Sequence, residues 1–452
     1  MQIRPIEEFF AREDGVPLAQ AFSASRPVHP SVGMVPIAEA ERACTWQALS
    51  RRPRQGKSVA YLHIPFCENH CLFCGFYRNA WRPEDGARYL RAVAEHLATD
   101  GERPYQAQGP IHALYFGGGT PTALAARDLA HLIEAARQHL PLAPDCEITV
   151  EGRAYNFTPD KVEAIFDAGA NRVSLGVQSF DTRLRRSLGR KTTREELLRF
   201  IDSLILADRG AIVADLIYGL PGQTMEMWER DLRIACALSL DGIDIYSLKL
   251  IPGTPLLTAI EKGKFAPTAR EALGGYYARA VELLEDARWE AVSTTHWRST
   301  TRERNLYNLL VKGGASCLAF GAGAGGNVHG HSYSITRDVT AFQTAIERSE
   351  APLGHLARQA PHTDLFNRIK GGMERRHLNL PWLKEELRRR AGLNADAVLG
   401  PLIGQWQRAG LVEISEDWLD LTVAGSFWQA TLTQNLLDWL GQSLRPVGRA
   451  VP

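Results

Sequence analysis

Three cysteines, Cys67, Cys71 and Cys74, stand in a C-x3-C-x2-C spacing directly after a short apolar run, Val59 to Ile64. Thiolates are soft ligands, so three of them this close suit an iron–sulfur cluster. With His63 or His70 as a fourth ligand they would equally suit a zinc ion. A cubane held by only three thiolates keeps one iron open to a small molecule. Pro65 ends the apolar run as a strand, because proline cannot donate to a ladder. The thiols then fall on a loop at the carboxyl end of a strand, where α/β folds build their ligand sites.

Other residues suited to ligand chemistry recur at the same end of later apolar runs. Gly117-Gly118-Gly119-Thr120-Pro121 follows the run His112–Phe116. Consecutive glycines there let the backbone approach a ligand and take φ > 0. Glu151 ends the third run, Gln178 follows the fourth, and Asp215 lies within the fifth. Arg190, in Leu-Gly-Arg-Lys, is suited to pair with a carboxylate. Shared position at strand ends points to one binding mouth rather than to scattered core polar groups.

The elements that must position these residues are legible as an alternation. Apolar runs at Val59–Ile64, His112–Phe116, Glu147–Glu151, Arg172–Gly176, Ala211–Ile217 and Gly242–Leu248 are separated by amphipathic stretches. Helices are expected at Asp85–Thr99, Ala125–His139, Pro159–Ala168, Thr193–Ala207 and Thr224–Leu238. Thr158-Pro159 reads as an N-cap with proline in the first turn, and Thr193 with Glu196 reads as a capping box. Six βα units in succession predict an α/β fold with a parallel sheet, here a partial (β/α)6 barrel. The expected divisions are an N-terminal extension over 1–58, the barrel over 59–260, a barrel extension and substrate-covering region over 261–350, and an accessory domain over 351–452. The last reads as helical and winged-helix-like: three helical patterns, two short strands around an acidic turn, and a final helix. No basic cluster marks a recognition helix in it.

Bulk properties narrow the function. The 452 residues carry a formal net charge of +1, so no global field draws nucleic acid or an anionic membrane. No apolar run approaches the ~18 residues that span a bilayer. The N-terminus is too acidic and interrupted for a signal peptide, and the expected compartment is the cytoplasm. Seven cysteines, an odd number, do not make a secreted disulfide framework. Cys146 and Cys236 read as buried structural thiols.

Taken together, the cysteine spacing with Phe73 before the third cysteine, then GGGTP, GVQSF and DLIYGLPGQT, resembles the radical S-adenosylmethionine (SAM) superfamily, and within it the coproporphyrinogen dehydrogenase-like branch. The resemblance spans roughly residues 59–440. It implies a [4Fe-4S] cluster on Cys67, Cys71 and Cys74, with SAM on the fourth iron and reductive cleavage to a 5'-deoxyadenosyl radical. It further implies two SAM molecules. Tyr61, Gly118 and Glu151 match residues that hold the cluster-bound SAM. Phe73, Gly119, Thr120, Gln178, Arg190 and Asp215 match contacts around the two, mostly the second. A flavodoxin-type electron donor is implied as partner.

Three activities of that branch separate on local sequence. The coproporphyrinogen dehydrogenases carry another cysteine two residues after the cluster, where this chain has Phe76, and follow their glutamate with Asp-Pro, where this chain has Gly152-Arg153. The heme chaperones lack the stretch found here at 293–326. That stretch, and the Phe-Tyr-Arg-Asn-Ala run after the cluster, resemble the anaerobic heme-degrading radical SAM methyltransferases. Heme is therefore the expected substrate. Arg78, Arg298, Arg302 and Arg304 are candidate propionate partners, Trp297 and Tyr307 candidate ring cover, and His296 a candidate iron ligand, with His329 and His331 behind it.

Overall fold

The computed structural model describes residues 4–28 and 34–444, with the backbone alone at 83–85. Residues 1–3, 29–33 and 445–452, at the margins of the expected 1–58 and 351–452 divisions, lie outside the described residues.

The six apolar runs form strands β1 (Ser58–Ile64), β2 (Ile111–Gly118), β3 (Leu142–Gly152), β4 (Arg172–Gln178), β5 (Ala211–Tyr218) and β6 (Gly242–Ser247). They pair in sequential order and all in parallel. Both faces of such a sheet are covered, which is why the strands read as nearly continuous apolar runs. Crossover helices α1 (Pro83–Gly101), α2 (Ala126–His139), α3 (Pro159–Asp167), α4 (Arg194–Ala207) and α5 (Met225–Ala237) connect them. The capping box at α4 forms: Thr193 Oγ1 accepts from the Glu196 amide at 3.3 Å, and the Thr193 amide donates to Glu196 Oε2 at 2.8 Å. At α3 the proline takes the first turn, but the Thr158 side chain makes no capping hydrogen bond.

The sheet extends past the six units on both sides. After α6 (Arg270–Asp286), strand β7 (His296–Arg298) pairs antiparallel with β6. After α7 (Leu306–Lys312), strand β8 (Ser316–Phe320) adds in parallel on the far side of β1. Strands β9 (Gly325–Val328), β10 (His331–Ile335) and β11 (Leu353–Arg358) continue from β8 as an antiparallel ribbon. The expected boundaries at 260 and 350 therefore cut a continuous sheet. One core runs through it, from Leu62 and Phe116 to Phe320, Tyr333 and Leu356.

The accessory domain begins after β11. Helices α8 (Thr363–Glu374), α9 (Leu380–Ala391) and α10 (Ala395–Arg408) accompany a small sheet ordered His377–Asn379, Trp418–Leu421, Val412–Ser415, and α11 (Gln429–Ser443) closes it. This is the winged-helix arrangement. The arginine run Arg388–Arg390 at the end of α9 is matched by Glu385, Glu386 and Asp364, so it leaves no free basic face.

The segment over 1–58 packs in two places. Phe9, Ala11 and Ala21 lie in the core of the accessory domain, among Trp406, Trp428 and Leu436. Polar contacts fix the same segment: Gln405 bonds the Ala11 amide at 2.8 Å, and Arg4 and Arg26 both reach Asp438. By contrast Trp46 and Leu49 join the barrel core. The lead-in is two pieces, each built into a different core.

Candidate active site

The cysteine loop is held from three directions. Its first residues, Phe66–Cys67, bridge Asn79–Ala80, and the Trp81 amide donates to the Cys67 carbonyl at 2.9 Å, which closes the loop on itself. The Leu72 amide reaches Leu188 O at 3.2 Å, and Asn69 Nδ2 reaches Gly189 O at 2.9 Å. On its other side the Leu256 amide donates to Leu72 O at 2.9 Å. Cys67 and Cys71 are buried and Cys74 half-buried. Arg153 Nη2 lies 3.7 Å from Cys67 Sγ, and Arg190 is close enough to Cys71 and Cys74 to feel their charge. Burial pushes the Cys67 thiol up.

The glycine turn is fastened beneath this loop. The Gly119 amide donates to Ile64 O and the Thr120 amide to Phe66 O, both at 2.8 Å. Gly118 has φ +115°, and a Cβ there would meet the His63 ring at 2.5 Å. A Cβ on Gly117 would stand 2.9 Å from Glu151 Oε2. Only glycine fits at Gly118, and a side chain at 117 would press on the Glu151 carboxylate.

Glu151 accepts from Tyr115 Oη at 2.8 Å and from the Gly118 amide at 3.3 Å, and burial raises its carboxyl above the usual range. Gln178 sits at φ 63° where β4 ends. Its Oε1 and the Arg190 Nε are buried with no protein partner. Two orphaned polar atoms, one of them on the arginine that neighbours Cys71 and Cys74, are what a polar ligand would satisfy. Arg190 Cζ also lies 5.9 Å from the Phe73 ring centre. Tyr61 stacks near Tyr115 and touches His63 Nδ1 at 3.1 Å through its hydroxyl. The structure places Cys67, Cys71, Phe73, Cys74, Gly118, Gly119, Thr120, Glu151, Gln178 and Arg190 at or beyond the carboxyl ends of the strands, with Tyr61 and Asp215 midway along β1 and β5.

The substrate candidates scatter. Arg78 is exposed on the cysteine loop, contacts Tyr77 O and lies close enough to His63 to disfavour its charge. Arg298 pairs with Glu290 at the edge of the sheet. Arg302 binds Asp208 and Gly210 O, just before β5 starts, and Arg304 binds Asp145. Those contacts put Arg302 and Arg304 at the amino ends of the strands, opposite the thiols. Trp297 is buried on the outward face of β7. Tyr307 enters the lumen, its ring 4.7 Å from Tyr115. His329 and His331 belong to the β9–β10 hairpin, where His329 contacts Arg52 O.

His296 is placed differently from the expected iron ligand. Its Nδ1 is 3.0 Å from Asp244 and its Nε2 3.1 Å from Glu303, and the residue is fully buried. Both ring nitrogens lie within ion-pair distance of carboxylates, without the angles of a hydrogen bond, so the contact is electrostatic. Burial disfavours its charge, but Asp244 and Glu303 prevail and raise it to about 9. Glu303 also holds Arg172 Nε at 2.8 Å. Arg172, Asp244, Glu303 and Tyr115 are not among the residues that the sequence singles out. Their only signal there is a polar residue at alternate positions of an apolar strand, as with Arg172 and Asp244.

A family model described as the radical SAM superfamily matches residues 61–235. The chain is 40% identical over 421 residues, 92% of each chain, to the anaerobilin synthase of Escherichia coli O157:H7.

The chain belongs to the radical SAM superfamily.

Among other superfamily members, it is 35% identical to the oxygen-independent coproporphyrinogen III oxidase of Bradyrhizobium diazoefficiens over 48% of each chain. It is 28% identical to the heme chaperone HemW of Lactococcus lactis over 62% of this chain and 72% of that one. The solved structure of coproporphyrinogen III oxidase from Escherichia coli superposes with a TM-score of 0.74 at 20% identity, over 92% of this chain and 96% of that one. That likeness extends the shared radical SAM fold to the accessory domain. Membership in the superfamily implies a [4Fe-4S] cluster and SAM. The three free thiols, the glycine cradle and the two orphaned polar atoms fit both. No described helix is long and apolar enough to cross a membrane.

Proposed function

We propose that this chain is a radical SAM methyltransferase that methylates heme and opens the macrocycle to a linear tetrapyrrole, with release of iron, under anaerobic conditions. The observation that carries this reading is the 40% identity to an anaerobilin synthase across 92% of both chains. The coproporphyrinogen oxidase relative, at 35%, matches over only 48%. Phe76 supports the same choice, since it stands where the coproporphyrinogen dehydrogenase pattern carries a further cysteine.

In this reading Cys67, Cys71 and Cys74 hold the cluster, which when bound with SAM supplies a 5'-deoxyadenosyl radical. The chain's own residues bind, orient and shield. Tyr61, Gly118 and Glu151 hold the cluster-bound SAM. Phe73, Gly119, Thr120, Gln178, Arg190 and Asp215 line the place of both SAM molecules, mainly the second, which is the methyl source. Arg153 and Arg190 offset the negative charge of the thiolates. Arg78 receives a heme propionate, and Phe76, 71% exposed beside it, covers the ring. The electron donor is of the flavodoxin type, and the compartment is the cytoplasm.

The test is anaerobic. Reconstituted protein with reductant, SAM and heme should lose the heme Soret band and yield a methylated open-chain product by mass spectrometry. Vinyl formation from coproporphyrinogen propionates would identify the oxidase activity instead. Deoxyadenosine release with intact bound heme would identify a chaperone.

A further inference from the structure

Below the SAM residues the barrel lumen holds a ladder of buried charge. From the amino ends upward it runs Arg172 to Glu303 at 2.8 Å, Glu303 to His296 at 3.1 Å, and His296 to Asp244 at 3.0 Å. Asp244 on β6 is the register partner of Asp215 on β5, so the two carboxyls lie side by side on the same face. Glu147, the remaining acid at the foot, caps the Leu306 and Tyr307 amides of α7 at 3.0 and 3.2 Å.

Arg172 and a cationic His296 stand against Glu303, Asp244 and Glu147, so the acids of the ladder already outnumber its cations. Glu151 has the Tyr115 hydroxyl and the Gly118 amide. Asp215 has one neutral donor, Ser174 Oγ at 3.3 Å, and a second carboxyl beside it. Two adjacent buried carboxyls do not both ionise readily, and the pair keeps its proton on the member with the weaker support.

We propose that His296 is a positioning residue that holds Asp244 ionised and thereby confines the proton of the Asp215–Asp244 pair to Asp215. Asp215 then presents an O–H to the barrel mouth and selects a ligand atom that accepts a hydrogen bond, such as a ribose oxygen or a carboxylate. This consequence rests on the reading of the mouth as the second SAM site, whereas the position of the proton does not.

The surroundings agree from every side. Asp215 is faced by Asp244 and Tyr246 of β6, Glu151 of β3, Tyr115 of β2, Arg172 and Ser174 of β4, and Arg190 from the loop after β4. Burial, then Asp244 and Glu151, push its carboxyl well above the usual range. Against its own burial, Asp244 is held below that range by His296. His296 is faced by Asp244 and by Glu303, with Arg172 behind the latter.

Infrared spectra of the reconstituted full chain, without added SAM or heme, read the proton directly as the carbonyl band of a protonated carboxylic acid. At neutral pH the native protein should show this band and Asp215→Asn should lose it. In His296→Gln a second band should appear as Asp244 takes up a proton. Asp244→Asn, an isosteric change that leaves Glu303 on His296, should lower the titration midpoint of the Asp215 band by at least a pH unit. Absence of the band in the native protein, its survival in Asp215→Asn, or an unchanged titration in both other variants would overturn the proposal. Loss of heme turnover with these bands as expected would count against the function alone.

Discussion

The Gly118 backbone lies against the His63 ring so closely that an added methyl group would come within 2.5 Å of His63 Cε1. Gly118→Ala would also place an L side chain at φ +115°. The strain costs more than the ~0.4–1 kcal/mol that such a change gains where it fits. The variant should bind SAM at least tenfold more weakly by equilibrium dialysis, with unchanged far-ultraviolet circular dichroism.

Cys67, Cys71 and Cys74 should be separable from the other cysteines by iron content. Replacing any of the three with alanine should prevent assembly of a full cluster and abolish deoxyadenosine formation. Cys146→Ala should retain both, because burial pushes that thiol up to about 12 and keeps it protonated. Iron and sulfide analysis after anaerobic reconstitution decides the matter.

Stability should fall as the solution becomes alkaline. His296 is raised from 6.5 to about 9, so its contribution is complete below pH 6.5 and is lost as pH rises through 9. Asp215, also raised, changes stability in the same direction, since its folded form binds the proton more tightly than the unfolded chain. The denaturant midpoint should drop between pH 6.5 and 9, and the slope should be shallower in His296→Gln. At the acid end Glu303, held at about 2 by Arg172 and His296 despite burial, contributes above pH 4.5 and is lost toward pH 2.

Heme affinity should distinguish the arginines. Arg302 binds Asp208 at the amino ends of the strands, so Arg302→Ala should leave the Soret titration within about twofold of native. Arg78→Ala should weaken binding by roughly five- to tenfold, in keeping with loss of one exposed charge contact. Equal effects of the two changes would contradict the assignment.

Phe9→Ala should destabilise the accessory domain by about 3–5 kcal/mol, because a buried aromatic leaves a cavity. Limited proteolysis should then cut first beyond residue 363, with the barrel surviving longer.

Much of the mouth was legible because its residues sit in local strings. The cysteine spacing, the glycine turn and the capping box at Thr193 each lie within a few positions of their partners. The alternation of strands and helices yielded the parallel order for the same reason. The lumen ladder was not legible, since Arg172 and Glu303 are 131 positions apart. His296 was assigned by residue type, and type alone does not reveal that both its nitrogens already face carboxylates. Nor does residue type reveal that Arg302 and Arg304 emerge at the amino ends of the strands, since their partners Asp208 and Asp145 are distant in sequence. Phe9 belongs to a stretch without periodicity, and nothing local ties it to Trp406.

That residues 4–28 complete a core otherwise built from residues 363–444 has a temporal consequence. At ordinary rates of synthesis the early segment leaves the ribosome on the order of tens of seconds before its partners exist. The barrel can assemble in that interval; the early segment cannot. Phe9 and Phe10 are therefore bare while translation proceeds, and the last domain closes only after most of the chain has been made.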